Sequence, residues 1–160
     1  MALYLTYRPK DFASLVGQGF IKETLQKAVE QDKTVWAYLF TWPRGTGKTS
    51  TARIFAKAIN CESPKNGNPC GECIICKNFQ ENRLIDIIEI DAASYTGVDN
   101  IREIIEKAQF QPTQTKYKIY IIDEVHMLSK GAFNALLKIL EEPPKHVKFI
   151  LATTEIQKVP

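Results

Sequence analysis

Three observations predict an α/β fold for this chain, a parallel sheet flanked by helices in three layers. Strand-like apolar runs alternate along the sequence with stretches whose apolar residues recur at helical spacing, the order that builds parallel β-α units. The runs at 37–41 and 119–122 are apolar without polar alternation, which suits strands covered on both faces. Between the first strand and the next helix stands Trp42-Pro43-Arg44-Gly45-Thr46-Gly47-Lys48-Thr49-Ser50, whose strand, glycine-bearing loop, Gly-Lys-Thr and helix give the context of a phosphate-binding loop.

The bulk numbers bound the class. A chain of 160 residues is one domain's worth, long enough to bury about two-thirds of its unfolded surface. We read residues 1–160 as one nucleotide-binding domain. Hydrophobic content of 44% and charged content of 24% fit an ordinary globular protein. The net charge of +3 comes without a basic run, so it permits nucleic-acid contact without arguing for it. No apolar stretch approaches membrane-spanning length, and the N-terminal residues lack a signal-peptide layout. The expectation is a cytoplasmic protein with no membrane contact, whose thiols stay reduced.

In chain order, Thr6-Tyr7-Arg8-Pro9-Lys10 opens an irregular, proline-fixed arm that leads to Val16-Gly17-Gln18. Ile21, Leu25, Ala28 and Val29 then mark one face of an amphipathic helix. The strand at 37–41 and the phosphate loop follow. The helix after the loop is apolar almost all round, through Ala52, Ile54, Phe55, Ala56, Ala58 and Ile59, as expected of one packed deeply against a sheet. A second strand is predicted at 85–90. Thr96-Gly97-Val98-Asp99 reads as a capping box for a helix with Ile101, Ile104, Ile105 and Ala108 on its buried face. The strand from Lys118 ends in Asp123-Glu124. Ser129 caps a helix striped by Phe133, Leu136, Leu137 and Leu140, Pro143-Pro144 stops it, and a last strand runs over 148–154.

Residues 61–78 interrupt this alternation. All four cysteines lie there as Cys61-x8-Cys70-x2-Cys73-x2-Cys76, among Pro64, Gly67, Pro69 and Gly71. Four clustered thiolates in a reducing compartment read as a tetrahedral Zn²⁺ site, structural because four protein ligands leave no open position. Free or disulfide-bonded cysteines are one rival. An iron–sulfur cluster is another, although its fourth ligand usually follows downstream with a proline and here lies upstream.

The loop's chemistry is local. Inward-pointing N–H groups and the helix dipole hold phosphate oxygens, Lys48 supplies a point charge, and Thr49 offers its hydroxyl to Mg²⁺. Asp123, at the carboxyl end of a buried strand, would complete the Mg²⁺ site, and Glu124 would orient or deprotonate the attacking water. Thr154 would point a hydroxyl at the γ-phosphate or that water. The bland alternatives are an acidic pair that merely ends a strand and a threonine bonded to local backbone. His126 reads as a packed, hydrogen-bonded residue rather than a catalyst.

Taken together, Tyr7-Arg8-Pro9, Val16-Gly17-Gln18, Pro43 to Ser50, the four cysteines, Glu89-Ile90-Asp91-Ala92-Ala93-Ser94, Asp123-Glu124-Val125-His126-Met127-Leu128, Asn134-Ala135-Leu136-Leu137-Lys138, Leu140-Glu141-Glu142-Pro143-Pro144 and Leu151-Ala152-Thr153-Thr154-Glu155 resemble the gamma/tau family of bacterial DNA polymerase III clamp-loader subunits. The resemblance covers essentially the whole chain. A zinc insert inside an AAA+ nucleotide-binding domain is its most specific part. It implies a pentameric ATPase that opens a ring-shaped sliding clamp and places it on primed DNA, with ATP, Mg²⁺ and Zn²⁺ as cofactors and other clamp-loader subunits, the clamp and primed DNA as partners. It further implies that Lys48 and Thr49 are the phosphate-loop residues, Asp123 and Glu124 the metal and water residues, Thr154 the first sensor, and Tyr7, Arg8 and Val16-Gly17-Gln18 the adenine side. Trp42, Pro43, Arg44, Gly45, Thr46, Gly47 and Ser50 complete the nucleotide-binding segment.

Three departures qualify these expectations. Trp42 stands where the phosphate-loop pattern has its first glycine, with Trp36 close by, and an indole there opens a second reading, a clamp-loader-like scaffold that does not hydrolyse ATP. The family's arginine-finger segment, second sensor, lid and collar are not in the sequence, and such a finger contributes roughly 10³–10⁵ in rate in related systems, so slow turnover is expected of this stretch alone. The strand expected beside the loop strand is likewise absent, which predicts an unpaired edge. A DNA-binding zinc module, a rival from another class, lacks the basic recognition helix it would need.

Overall fold

The computed structural model describes residues 19–31, 34–41, 48–81, 83, 85–94, 97–155 and 158, with only the backbone described for 19–23 and 48–50. Tyr7, Arg8, Val16 and the loop residues Trp42, Pro43, Arg44, Gly45, Thr46 and Gly47 lie outside them. The described elements are α1 (Gly19–Glu30), β1 (Ala37–Thr41), α2 (Lys48–Asn60), α3 (Ile74–Gln80), β2 (Ile87–Asp91), α4 (Val98–Ala108), β3 (Lys118–Asp123), α5 (Lys130–Glu141) and β4 (Val147–Thr153), with a 3₁₀ turn at Val125–Met127. They fall into two compact units, one containing α1, α2 and α3, the other containing the strands with α4 and α5.

In the sheet unit the four strands are all parallel, in the order β1-β4-β3-β2. The fold is therefore α/β with a parallel sheet and flanking helices, as the apolar runs predict. Alternation assigns the faces. Tyr120 and Ile122 of β3 and Phe149 and Leu151 of β4 pack into one core with Ile101 and Ala108 of α4 and Ala132, Phe133, Leu136 and Ile139 of α5. Tyr120 and Phe149 stack with ring centroids 5.7 Å apart. Ile119, Ile121 and Ile150 alternate with these and are buried as well. β1, whose apolar run reads as covered on both faces, is instead an edge strand among the described residues, with only Phe40 buried and Leu39 exposed, because nothing described pairs with its outer side.

Five expectations shift by a residue or two: β4 runs over Val147–Thr153 rather than 148–154, and four others move for local reasons. β2 starts at Ile87 rather than Ile85, because Asp86 is captured first. Its buried carboxylate accepts the N–H groups of Thr113 (3.1 Å) and Gln114 (2.6 Å), and Ile85 donates to the Gln114 side chain, leaving the Ile85 side chain exposed. Gly97, not Thr96, occupies the N-cap of α4, in extended conformation and without a side-chain cap bond. The buried stripe of α5 is Ala132, Phe133, Leu136 and Ile139, so Leu137, assigned to the core by spacing, faces outward. β3 ends at Asp123, since Glu124 turns left-handed (φ 55, ψ 48). The cap of α5 stands as read: Ser129 Oγ accepts the Ala132 N–H at 3.1 Å.

In the other unit, α2 buries Ala52, Ile54, Phe55, Ala56 and Ala58 and also Lys57, whose ammonium lies 5.6 Å from the Phe79 ring centroid on α3. Residues 61–78 are turn-rich only in their first part. Lys65 and Asn68 exchange backbone hydrogen bonds at 2.9 Å across Asn66-Gly67, both with positive φ (52 and 78), a two-residue hairpin turn of the primed kind. From Ile74 the segment is helical through Gln80, past the predicted boundary.

Candidate functional site

Because the strands are parallel, their carboxyl ends share one rim. Thr41 of β1 lies in register with Thr153 of β4, and Asp91 of β2 with Asp123 of β3. The segment that carries the Gly-Lys-Thr motif leaves β1 at this rim. β4 stands between β1 and β3, so the acidic strand is one place removed from the loop strand.

At the rim the chain turns sharply. Asp123 Oδ1 accepts the Glu124 N–H at 2.9 Å, and the Asp123 carbonyl accepts the Ala92 N–H at 2.9 Å. The left-handed Glu124 costs a non-glycine residue about 1–3 kcal/mol, and such strain persists where surrounding bonds over-determine it. Here they do. Thr154 Oγ1 donates to Glu124 Oε2 at 3.2 Å, and His126 Nε2 lies 3.7 Å from the same oxygen. The His126 ring, 4% exposed, sits with Nε2 3.1 Å from Glu155 Oε2 and Nδ1 2.8 Å from Thr153 Oγ1. Glu155 in turn donates its backbone N–H to Thr153 Oγ1 at 3.0 Å. The structure thus gathers Asp123, Glu124 and Thr154, and joins to them His126, Thr153 and Glu155. Sequence reasoning gave Thr153 no role. Two adjacent threonines at a strand end leave undecided which one turns inward, and a strand buried along its whole length offers no alternation to settle it.

Lys48, Thr49 and Ser50 form the first turn of α2, which begins where the Gly-Lys-Thr pattern puts a helix start. Their side chains, like residues 42–47, lie outside the described residues.

The second centre is the cysteine cluster. The four Sγ atoms of Cys61, Cys70, Cys73 and Cys76 all lie within 4.8 Å of one another, with Cys61 and Cys73 at 3.9 Å. One ion bonded to four sulfurs at about 2.3 Å asks for separations of that order. Backbone N–H groups point at the sulfurs: Cys70 to Cys61 (3.3 Å), Glu72 and Cys73 to Cys70 (3.4 and 3.2 Å), and Cys76 to Cys73 (3.5 Å). Burial pushes the Cys70 thiol up, but the N–H groups of Glu72 and Cys73 and the neighbouring thiols outweigh it and hold the group at about 6. Burial raises Cys61 and Cys76. Such a set of soft donors with backbone support fits a thiophilic cation.

Comparison with known proteins adds the following. The profile of the family described as "DNA polymerase III, delta subunit" matches residues 17–160. The chain is 60% identical over 159 residues to DNA polymerase III subunit tau of Bacillus subtilis, covering 99% of this chain and 28% of that protein. It is 49% identical over 154 residues to DNA polymerase III subunit tau of Escherichia coli, covering 96% and 24%. It thus spans about a quarter of the length of these relatives. Among solved structures, a DNA polymerase III gamma subunit-related protein of Thermotoga maritima superposes with a TM-score of 0.59 at 22% identity, over 86% of this chain and 40% of that one. The RuvB Holliday junction branch migration motor of the same organism superposes at 0.60 with 20% identity, over 96% and 44%. These two likenesses speak to the fold alone.

Proposed function

This chain belongs to the DNA polymerase III subunit family matched over residues 17–160, and from that premise we propose that it is the ATP-binding and ATP-hydrolysing domain of a clamp-loader subunit. One AAA+ domain over residues 1–160 with a zinc-binding insert at 61–78 is the organisation this reading assigns. The observation that carries it is the rim: the Gly-Lys-Thr segment leaves β1 at the sheet edge where Asp123, Glu124 and Thr154 are gathered.

In this reading ATP is held by Trp42, Pro43, Arg44, Gly45, Thr46, Gly47, Lys48, Thr49 and Ser50, with Tyr7, Arg8 and Val16 on the adenine side. Thr49 and Asp123 hold Mg²⁺, which when bound neutralises phosphate charge. Glu124 orients the attacking water and takes its proton, and Thr154 senses the γ-phosphate. Cys61, Cys70, Cys73 and Cys76 hold a structural Zn²⁺, supported by the sulfur separations and the N–H groups aimed at them. The other clamp-loader subunits, the sliding clamp and primed DNA are the proposed partners. We place the protein in the cytoplasm, and no described helix is long and apolar enough to cross a membrane.

Turnover tests the reading. In the full-length protein assembled with its partner subunits, Glu124→Gln should lower kcat for ATP hydrolysis by about 10²–10⁴ while ATP still binds. Undiminished turnover by that variant would remove Glu124 from the chemistry. A second reading is favoured by Trp42: a scaffold subunit that keeps the fold and the metal but not nucleotide. Absence of ATP binding with normal assembly is its signature.

A further inference from the structure

The rim holds a histidine that the proposed chemistry does not use, and its bonds run in one direction. Nε2 of His126 faces the Glu155 carboxylate at 3.1 Å, an acceptor only, so Nε2 carries the proton. In the neutral ring Nδ1 is then an acceptor, and it must be met by the Thr153 hydroxyl at 2.8 Å. With its own hydrogen directed at the ring, that hydroxyl oxygen still has lone pairs to accept, and it receives the Glu155 N–H at 3.0 Å. The circuit closes: Glu155 backbone to Thr153 hydroxyl, hydroxyl to His126, His126 to Glu155 carboxylate. Thr154 is the residue between the two that the ring holds, and its hydroxyl donates to Glu124 Oε2 at 3.2 Å. With 4% of the His126 side chain exposed, water has little access to the ring nitrogens themselves.

We propose that His126 is a positioning residue for hydrolysis: by clamping Thr153 and Glu155 on either side of Thr154, it fixes the Thr154 hydroxyl on the Glu124 carboxylate. The inference rests on the ATPase reading given above, and it assigns His126 no contact with nucleotide. Its loss should slow the chemical step and leave affinity alone.

Two measurements test it. The first needs no nucleotide. Two-bond ¹H–¹⁵N correlation of the histidine rings, with the His126 signals assigned by their loss in His126→Phe, should show the Nε2–H tautomer for His126. Thr153→Val should shift the Nδ1 resonance. An Nδ1–H tautomer would overturn the proposal regardless of activity. The second is kinetic. His126→Phe keeps a planar ring without either bond and should lower kcat about tenfold or more, with the Kd for ATP within about twofold. His126→Gln, which retains a donor and an acceptor, should recover most of kcat. Wild-type kcat in His126→Phe with ATP binding intact would overturn the clamp. Loss of ATP binding by the wild-type protein would instead strike the ATPase reading, leaving the tautomer measurement to judge the clamp.

Discussion

Gly67 and Gly71 share a positive φ (78 and 77) but differ in surroundings, and the pair separates two costs. A Cβ at Gly67 would lie 2.1 Å from the Gln26 carbonyl oxygen of α1, whereas nothing lies within 4 Å of one at Gly71. Gly71→Ala should therefore cost only the left-handed penalty, about 1–2 kcal/mol. Gly67→Ala adds a backbone clash and should cost at least about 2 kcal/mol more, read from urea midpoints. Cys70 supplies a pH prediction. Its folded-state value near 6 lies below the ordinary 9, so ionised Cys70 stabilises the metal-free fold fully above the ordinary thiol range, and that contribution fades as pH falls through about 6. Alkylation of Cys70 in the metal-free chain should accordingly persist near neutral pH and fall off around pH 6. Neither residue's role was legible in sequence beyond "turn glycine" and "ligand cysteine". The neighbour at Gln26 comes from a distant segment, and the N–H groups that lower Cys70 depend on the chain's path through 70–73.

Elements were legible where apolar spacing was long and unambiguous. β3 announced itself as a buried parallel strand, whereas the run at 37–41, read as covered on both faces, is the half-exposed β1, and 148–154 gave no sign that all of β4 is buried. α5 was found, but its stripe was placed so as to include Leu137. Heptad-like spacing does not distinguish two neighbouring faces when Leu136, Leu137, Ile139 and Leu140 are all apolar. α3 was missed as a helix because seven residues carry little periodic signal and because its N-cap is a thiol, Cys73 accepting the Cys76 N–H, outside the usual capping set. That same dependence makes α3 a reporter of the metal. Elemental analysis should find about one zinc per chain, and chelation should reduce helicity and raise protease cleavage near 73–80. Iron, or less than about half an equivalent of zinc, would refute the zinc assignment. At the ordinary cap of α5, Ser129→Ala should cost about 1 kcal/mol.

At the scale of the molecule, the parallel sheet does two things. It sets the carboxyl ends of β1, β2, β3 and β4 on one rim, and its register brings Asp91 level with Asp123 and Thr41 level with Thr153. Far from the rim, the chain entering β1 is tied down as well. Trp36 donates its indole N–H to the Leu140 carbonyl at 3.1 Å and accepts the Phe149 N–H through its own carbonyl at 2.7 Å, while Lys148 reaches the Val35 carbonyl at 3.2 Å. Trp36 thus has a structural occupation, which accounts for one of the two tryptophans that set this sequence apart. The alternation of strands and helices foretold the sheet. That β4 inserts between β1 and β3 was not foretold, since strand order is decided by crossover packing rather than by any local pattern. The central claim is that the segment leaving β1 holds a nucleoside triphosphate. Titration of a fluorescent ATP analogue with Mg²⁺ tests it most directly: saturable binding that Trp42→Gly tightens and Lys48→Ala abolishes is the predicted result, and no binding by either the native chain or Trp42→Gly would contradict it.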